Sequence, residues 1–258
     1  MSNELVGLIP AAGYATRISP LPASKELFPI GFRKVQLESG IQLHPKVISH
    51  YLLDNMFQSG TRKVYIVLRR DKTDIMDYYG DGKKFGGHIA YLADDNVRGM
   101  PYTMDVAWPW LQGNTVLFGM PDTIFTPADA FSRLLAQHHA TNADVTLGIF
   151  PTNCPEKLCP VELDESARVL TMIDKPAHAH IRNTWGCGCW DHKFTEFMHN
   201  YLEPASVSDR TAVLADVFLA ALEQGLSIFG LFFAEGEYID IGTPDDLAMA
   251  VKRFNHII

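Results

Sequence analysis

Short apolar runs and helix-spaced segments alternate through the first 150 residues, and this alternation leaves the chain few folds to choose from. Leu5 to Pro10 is an apolar run ending in Ala11-Ala12-Gly13, as a buried parallel strand followed by a loop would be. Pro45 to Ser59 carries Val47, Ile48, Tyr51, Leu52 and Met56 at helical spacing, with Pro45 suited to a first turn and Gly60 to a C-cap. Residues 63–68, 88–92, 115–119 and 144–150 read as further strands. Residues 74–79, 102–111 and 129–139 read as the helices between them. This order predicts an α/β fold: an open, mostly parallel Rossmann-like sheet flanked by helices, with right-handed crossovers. Ligands in such folds bind beyond the carboxyl ends of the strands.

After Pro151 the rhythm changes. Pro155 and Pro160 interrupt the chain, and residues 161–164 and 169–173 predict a hairpin turning at 164–167. Further strands are expected at 185–190, 227–233 and 238–239, and helices at 213–224 and 244–255. The second part is therefore smaller and richer in strand.

Composition removes several classes of function. A net charge of −8 argues against a general nucleic-acid binder, though it leaves room for a local basic pocket. No run approaches the roughly 18 apolar residues a membrane span needs, and Met1-Ser2-Asn3-Glu4 has no basic leader. A cytoplasmic protein is the expectation. The four cysteines, at 154, 159, 187 and 189, lack structural zinc spacing and read as reduced thiols. The pairs His138-His139 and His178-x-His180 have no third ligand at a convincing spacing.

The most informative segment is Pro10-Ala11-Ala12-Gly13-Tyr14-Ala15-Thr16-Arg17, followed by Pro20 and then Lys25-Glu26-Leu27-Phe28-Pro29. Small residues after a strand let backbone N–H groups approach a phosphate closely. Arg17 and Lys25 supply the charge that a triphosphate requires. The small-residue loop alone would serve equally well as a tight strand–helix turn. It is neither a Walker A loop nor a dinucleotide fingerprint. Asp122, after the strand at 115–119, could hold Mg²⁺ or cap a turn.

The loop, with its Arg17, Lys25 and two prolines, resembles the signature of the sugar-1-phosphate nucleotidyltransferases. The wording Lys25-Glu26-Leu27-Phe28-Pro29-Ile30 is similar to the branch of UTP–glucose-1-phosphate uridylyltransferases, which also has Pro-Asp at the position of Pro121-Asp122. The resemblance covers nearly the whole chain. It implies one domain over 1–258, with a nucleotide-binding part (1–150) and a part that binds sugar and completes the metal site (151–258). It implies transfer of a nucleotidyl group from UTP or dTTP to a sugar 1-phosphate, with Mg²⁺ as cofactor and pyrophosphate released. Ala11, Ala12, Gly13, Tyr14, Ala15, Thr16, Arg17 and Gly99 would contact the nucleotide. Arg17, Lys25 and Lys175 would be catalytic. Asp174, Lys175 and Gly186 would bind the sugar phosphate. Asp122 and Asp240, the latter in Tyr238-Ile239-Asp240-Ile241-Gly242-Thr243-Pro244, would be the metal ligands.

Five positions depart from the family pattern. Ala15 replaces a loop glycine, Cys159 replaces a glycine near the sugar, Asp174 replaces a glutamate, and Pro101-Tyr102 replace small residues after Gly99. Two other readings therefore stay open: a non-catalytic paralogue that senses sugar nucleotides, and transfer to a non-sugar phosphate such as phosphocholine, with Trp185 and Trp190 as an aromatic cage. The pairs Trp108/Trp110 and Phe232/Phe233 fit a core or a subunit interface, so a homo-oligomer also stays open.

Overall fold

The computed structural model describes residues 3–95, 97–203 and 212–254. A seven-stranded sheet runs through its centre, in the order β12-β8-β11-β6-β1-β4-β5. These strands are β1 (Leu5–Pro10), β4 (Lys63–Leu68), β5 (His88–Ala93), β6 (Thr115–Gly119), β8 (Val145–Pro151), β11 (Asn183–Trp190) and β12 (Ile228–Phe232). All neighbours are parallel except β11, which runs antiparallel to both β6 and β8.

Alternating side chains of the strands feed two separate cores. Val6 and Leu8 of β1 join Val116 and Phe118 of β6 on one face. That face is covered by α3 (Met100–Asp105), α4 (Trp108–Leu111), α6 (His192–Leu202) and α7 (Leu214–Glu223). Ile9, Val64, Ile66 and Leu68 point to the other face, against α1 (Ile48–Gln58), α2 (Thr73–Tyr79) and α5 (Ala130–Thr141). Two-sided coverage explains why these strands read as continuous apolar runs rather than alternating ones. The fold is α/β with helices on both faces, as the sequence predicts.

Several elements differ from expectation. Residues 29–47 form a hairpin, β2 (Pro29–Leu37) and β3 (Gly40–Val47), whose strands are antiparallel. Pro45 lies in β3 opposite Phe32, so it does not open a helix, and α1 starts at Ile48. A proline lacks an N–H, and an edge strand tolerates that. Residues 102–111 do not form one helix. The chain turns at Val106-Ala107 and restarts as α4 with Pro109 in its first turn. The helix α6 had no counterpart in the sequence reading. The hairpin β9 (Val161–Leu163) and β10 (Val169–Met172) forms where predicted. A small antiparallel pair, β7 (Thr123–Phe125) and β13 (Tyr238–Asp240), lies outside the central sheet. The last helix, α8 (Pro244–Phe254), places Ala250 in a small third core with Ile30 of β2, Ile48 of α1, Ile124 of β7 and Ile241. Asn255, its predicted last residue, lies outside the described residues.

The sheet order places a topological switch between β1 and β6, because the chain leaves β1 for β4 on one side and returns as β6 on the other. A crevice opens at such a point, beyond the carboxyl ends of the strands.

Candidate active site

A cleft of about 420 Å³ occupies that crevice. The segment after β1 forms one wall, with Pro10, Ala12, Gly13 and Arg17. Lys25 and Glu26 follow from a short 3₁₀ turn, Lys25–Leu27. Asp122 and Asp240 line it, as do Gly99, Asp174 and Lys175. Residues separated by more than 200 positions in the sequence thus meet at one cavity.

The two aspartates are brought together by the β7–β13 pair. Thr123 lies directly opposite Asp240, so Asp122 sits one residue away. The Ile241 N–H also donates to the Asp122 carbonyl at 3.2 Å. Before β7, the Thr123 hydroxyl closes the turn by donating to the Met120 carbonyl at 2.9 Å. Lys25 donates its ammonium to the Asp122 carboxylate, and the two side chains are 14% and 16% exposed. Burial alone would lower the Lys25 pKa, but Asp122, helped by Glu26 and Asp240, holds it above its ordinary value. Asp240 goes the other way. Burial and the charge of Asp122 push its carboxyl up to about 6, against the Gly242 N–H, Lys25 and Arg17, which favour the anion. That Gly242 N–H donates to Asp240 Oδ1 at 2.6 Å.

Two carboxylates crowded together, with an ammonium already drawn to one of them, have the charge that a divalent cation would need. Hard oxygen donors fit Mg²⁺, which keeps several water or phosphate ligands and needs only one or two carboxylates. No group of three or more His, Cys, Asp or Glu side chains placed to hold a metal occurs among the described residues.

The remaining expected residues divide by position. Ala12 and Gly13 face the cleft, whereas Ala11 is buried behind it and donates its N–H to the Val67 carbonyl at 2.8 Å. Tyr14 and Ala15 line an adjoining recess of about 220 Å³ with Arg69 and Lys72. Thr16 is exposed and lines neither space. Ala15 has φ 54°, the left-handed region that a glycine would occupy without strain. Gly99 has φ 119° and precedes α3 as its N-cap. Lys175 also has positive φ, 48°, and its N–H donates to the Leu158 carbonyl at 2.7 Å. Its ammonium is loosely held, 3.9 Å from Asp174.

Gly186 is not among the residues lining the cleft. A side-chain carbon there would lie 2.5 Å from the Tyr238 ring. Next to it the β11 register shifts between Trp185 and Cys187. This irregularity turns Trp185 to the cleft face while Cys187 enters the opposite core. Trp190 is fully buried against Phe118 and Phe194 and donates its indole N–H to Thr195, so it cannot share an aromatic cage with Trp185. Of the paired aromatics, Trp108 stacks on His199 and Phe233 on Phe150, while Trp110 and Phe232 are exposed.

Three site residues escaped the sequence reading. Glu26 and Lys72 form a buried ion pair, with the Lys72 ammonium 2.8 Å from both Glu26 carboxylate oxygens. Burial pushes the Glu26 pKa up and the Lys72 pKa down, each opposed by its partner. Arg69 reaches the back of the small-residue loop. Their signal was positional: Arg69-Arg70-Asp71-Lys72 follows the carboxyl end of β4, beside β1 in the sheet.

Residues 6–256 match the nucleotidyl transferase family, and the chain belongs to it. It is a nucleotidyltransferase enzyme. The glucose-1-phosphate thymidylyltransferase of Neisseria meningitidis is 24% identical over 255 residues, covering 95% of this chain and 81% of that one. The bifunctional protein GlmU of Methanococcus vannielii is 23% identical over 252 residues, covering 96% of this chain and 54% of that one. Among solved structures, a Bacillus anthracis protein provisionally named a glucose-1-phosphate thymidylyltransferase, crystallised with a sucrose, superposes with a TM-score of 0.84. It is 16% identical, and the match covers 98% of this chain and 96% of that one, so it bears on the fold alone.

Proposed function

We propose that this enzyme joins a sugar 1-phosphate to a nucleoside triphosphate, UTP or dTTP before the others, and releases pyrophosphate. The observation that carries the reading is the meeting of Lys25, Arg17, Asp122, Asp240 and Lys175 at one cleft. The names of the relatives support the choice of glucose 1-phosphate as first substrate to try and of dTTP beside UTP.

The chemistry asks mainly for positioning and charge neutralisation. An anionic oxygen of the sugar phosphate attacks the α-phosphorus in line, its bond to oxygen forms, and the bond to the β-phosphate oxygen breaks. No protein nucleophile is needed. Lys175 and Asp174 lie together at the cleft and suit a phosphate with a neighbouring hydroxyl. Arg17 and Lys25 neutralise the pyrophosphate as it leaves. Ala12 and Gly13 offer backbone to the phosphate chain, with Gly99 on the same cleft wall as Met100 and Thr103. Asp122 and Asp240 would hold Mg²⁺, which supplies charge to the phosphates when bound.

The test is pyrophosphate release with Mg²⁺ across a grid of five nucleoside triphosphates and several sugar phosphates, with phosphocholine included. Turnover with a sugar 1-phosphate and UTP or dTTP is the expected result. No pyrophosphate from any sugar phosphate, with turnover of phosphocholine alone, would overturn the sugar assignment.

A further inference from the structure

The loop after β1 has a front and a back. Its front faces the cleft through Ala12 and Gly13. Its back faces the recess that Arg69 and Lys72 line. Two cations hold the back. The Lys72 ammonium donates to the Ala11 carbonyl at 2.8 Å. One guanidinium nitrogen of Arg69 donates to both the Ala12 carbonyl, at 3.0 Å, and the Gly13 carbonyl, at 2.8 Å. Three successive carbonyls are thereby turned the same way.

A trans peptide is planar, and its C=O and N–H point in opposite directions. Fixing the carbonyls of Ala11, Ala12 and Gly13 on the back therefore fixes the N–H groups of Ala12, Gly13 and Tyr14 towards the front. None of these three N–H groups has a hydrogen-bond partner among the described residues. Such a run of convergent donors is an anion-binding concavity. The cations are themselves anchored. Asp71 takes two donors of Arg69, each at 2.9 Å, and the Tyr14 ring lies 4.1 Å from the guanidinium carbon. Glu26 holds Lys72 with both oxygens.

We propose that Arg69 and Lys72 are positioning residues that, from behind the loop, aim three backbone N–H groups at the phosphate chain of the nucleotide. The proposal rests on the reading of the cleft as a triphosphate site. Neither cation reaches the phosphates through its own side chain. Both act by setting the orientation of peptides that small residues would otherwise leave free to turn.

The experiment measures calorimetric binding of UTP and of inorganic pyrophosphate, both with Mg²⁺, to the intact protein. Its variants are Arg69→Met, Arg69→Lys, Asp71→Asn and the paired Lys72→Met/Glu26→Leu, which avoids stranding one buried charge. Arg69→Met should weaken UTP and pyrophosphate alike by about tenfold or more, with the unliganded melting point little changed. Arg69→Lys should recover part of the loss, since an ammonium can grip one carbonyl but not match the fork. It also carries the test if Arg69→Met fails to fold. Asp71→Asn, which loosens the exposed anchor of Arg69 but leaves the carbonyl grip in place, should lose less than Arg69→Met. The double variant should lose affinity for both probes. Wild-type affinity in both Arg69 variants overturns the proposal. A wild-type protein that binds neither probe overturns the triphosphate reading, and this inference falls with it.

Discussion

Replacing Asp122 with Asn separates the energetics of the site from those of the fold. Asp240 is pushed from 3.8 up to about 6, with burial the larger cause and the Asp122 charge the second. At roughly 1.4 kcal/mol per pH unit, ionising Asp240 in place costs about 3 kcal/mol. Removing the Asp122 charge should return the smaller share, about 1 kcal/mol. The same change deprives Lys25 of its nearest carboxylate, a loss of similar size for a partly buried pair whose ammonium still feels Glu26 and Asp240. The two effects oppose each other. The metal-free melting point should therefore move by no more than about 4 °C. Activity should fall by about 10²- to 10⁴-fold, because a charge aimed at the reacting phosphates is gone. The assays are pyrophosphate release and thermal unfolding with and without Mg²⁺ plus nucleotide. In wild type the ligands should raise the melting point, and in Asp122→Asn that rise should shrink or vanish. Retention of more than about a tenth of the activity, or an unchanged rise with Mg²⁺, would refute the assignment of Asp122.

Three other changes probe the frame around the site. Gly186→Ala sets a carbon 2.5 Å from the Tyr238 ring, and should cost about 1–3 kcal/mol, seen as a lowered urea midpoint; a wild-type midpoint would mean the ring moves freely. Ala15→Gly relieves φ 54° and should leave stability within about 1 kcal/mol, because lost strain is offset by a freer unfolded chain; a loss of 2 kcal/mol or more in chemical denaturation would contradict this. Asp144 accepts from the Ser227 N–H at 2.7 Å and from the Lys193 ammonium at 2.9 Å, tying β8 to β12. Burial would raise its pKa, but Lys193 and Ser227 outweigh it and hold the value below 3.8. A depressed folded pKa gives stability that is present above the unfolded value and is lost as pH falls through the folded one. Asp144→Asn should therefore cost about 1–2 kcal/mol at pH 7, and the gap from wild type should close below about pH 3.8 in denaturant titrations.

The parallel core was legible because its strands are covered on both sides, which writes apolar runs such as Leu5–Pro10 and Lys63–Leu68 directly into the sequence. The β2–β3 hairpin was not, for two reasons. Its partly exposed strands mix Phe32, Leu37, Ile41 and Leu43 with charged residues, and Pro45 imitates a helix start. Helix α6 went unread although Phe194, Met198 and Leu202 recur at helical spacing, because polar residues fill the positions between them. In the site, Asp122, Asp240, Lys25 and Arg17 were visible as charged residues in short motifs. The placement of Gly186 beside Tyr238 was not, since no spacing rule announces a local shift of register between β11 and β8.

The residues that went unread have something in common. Lys72 and Arg69 grip backbone carbonyls of the loop, and Glu26 holds Lys72 in place. A motif displays the groups that face the ligand, but a loop of small residues has no side chains with which to hold its own shape. The holding must come from elsewhere in the chain, and in a parallel sheet the nearest source is the strand beside β1. That strand is β4, and Arg69 and Lys72 leave its carboxyl end at the same level as the loop. In this chain the cations that grip the loop's carbonyls therefore sit at the end of the neighbouring strand. The cost of burying Lys72 there is offset by Glu26, which lies next to Lys25, and by the Ala11 carbonyl. One dipeptide, Lys25-Glu26, therefore sends one charge to the aspartates of the cleft and the other to the support behind the loop.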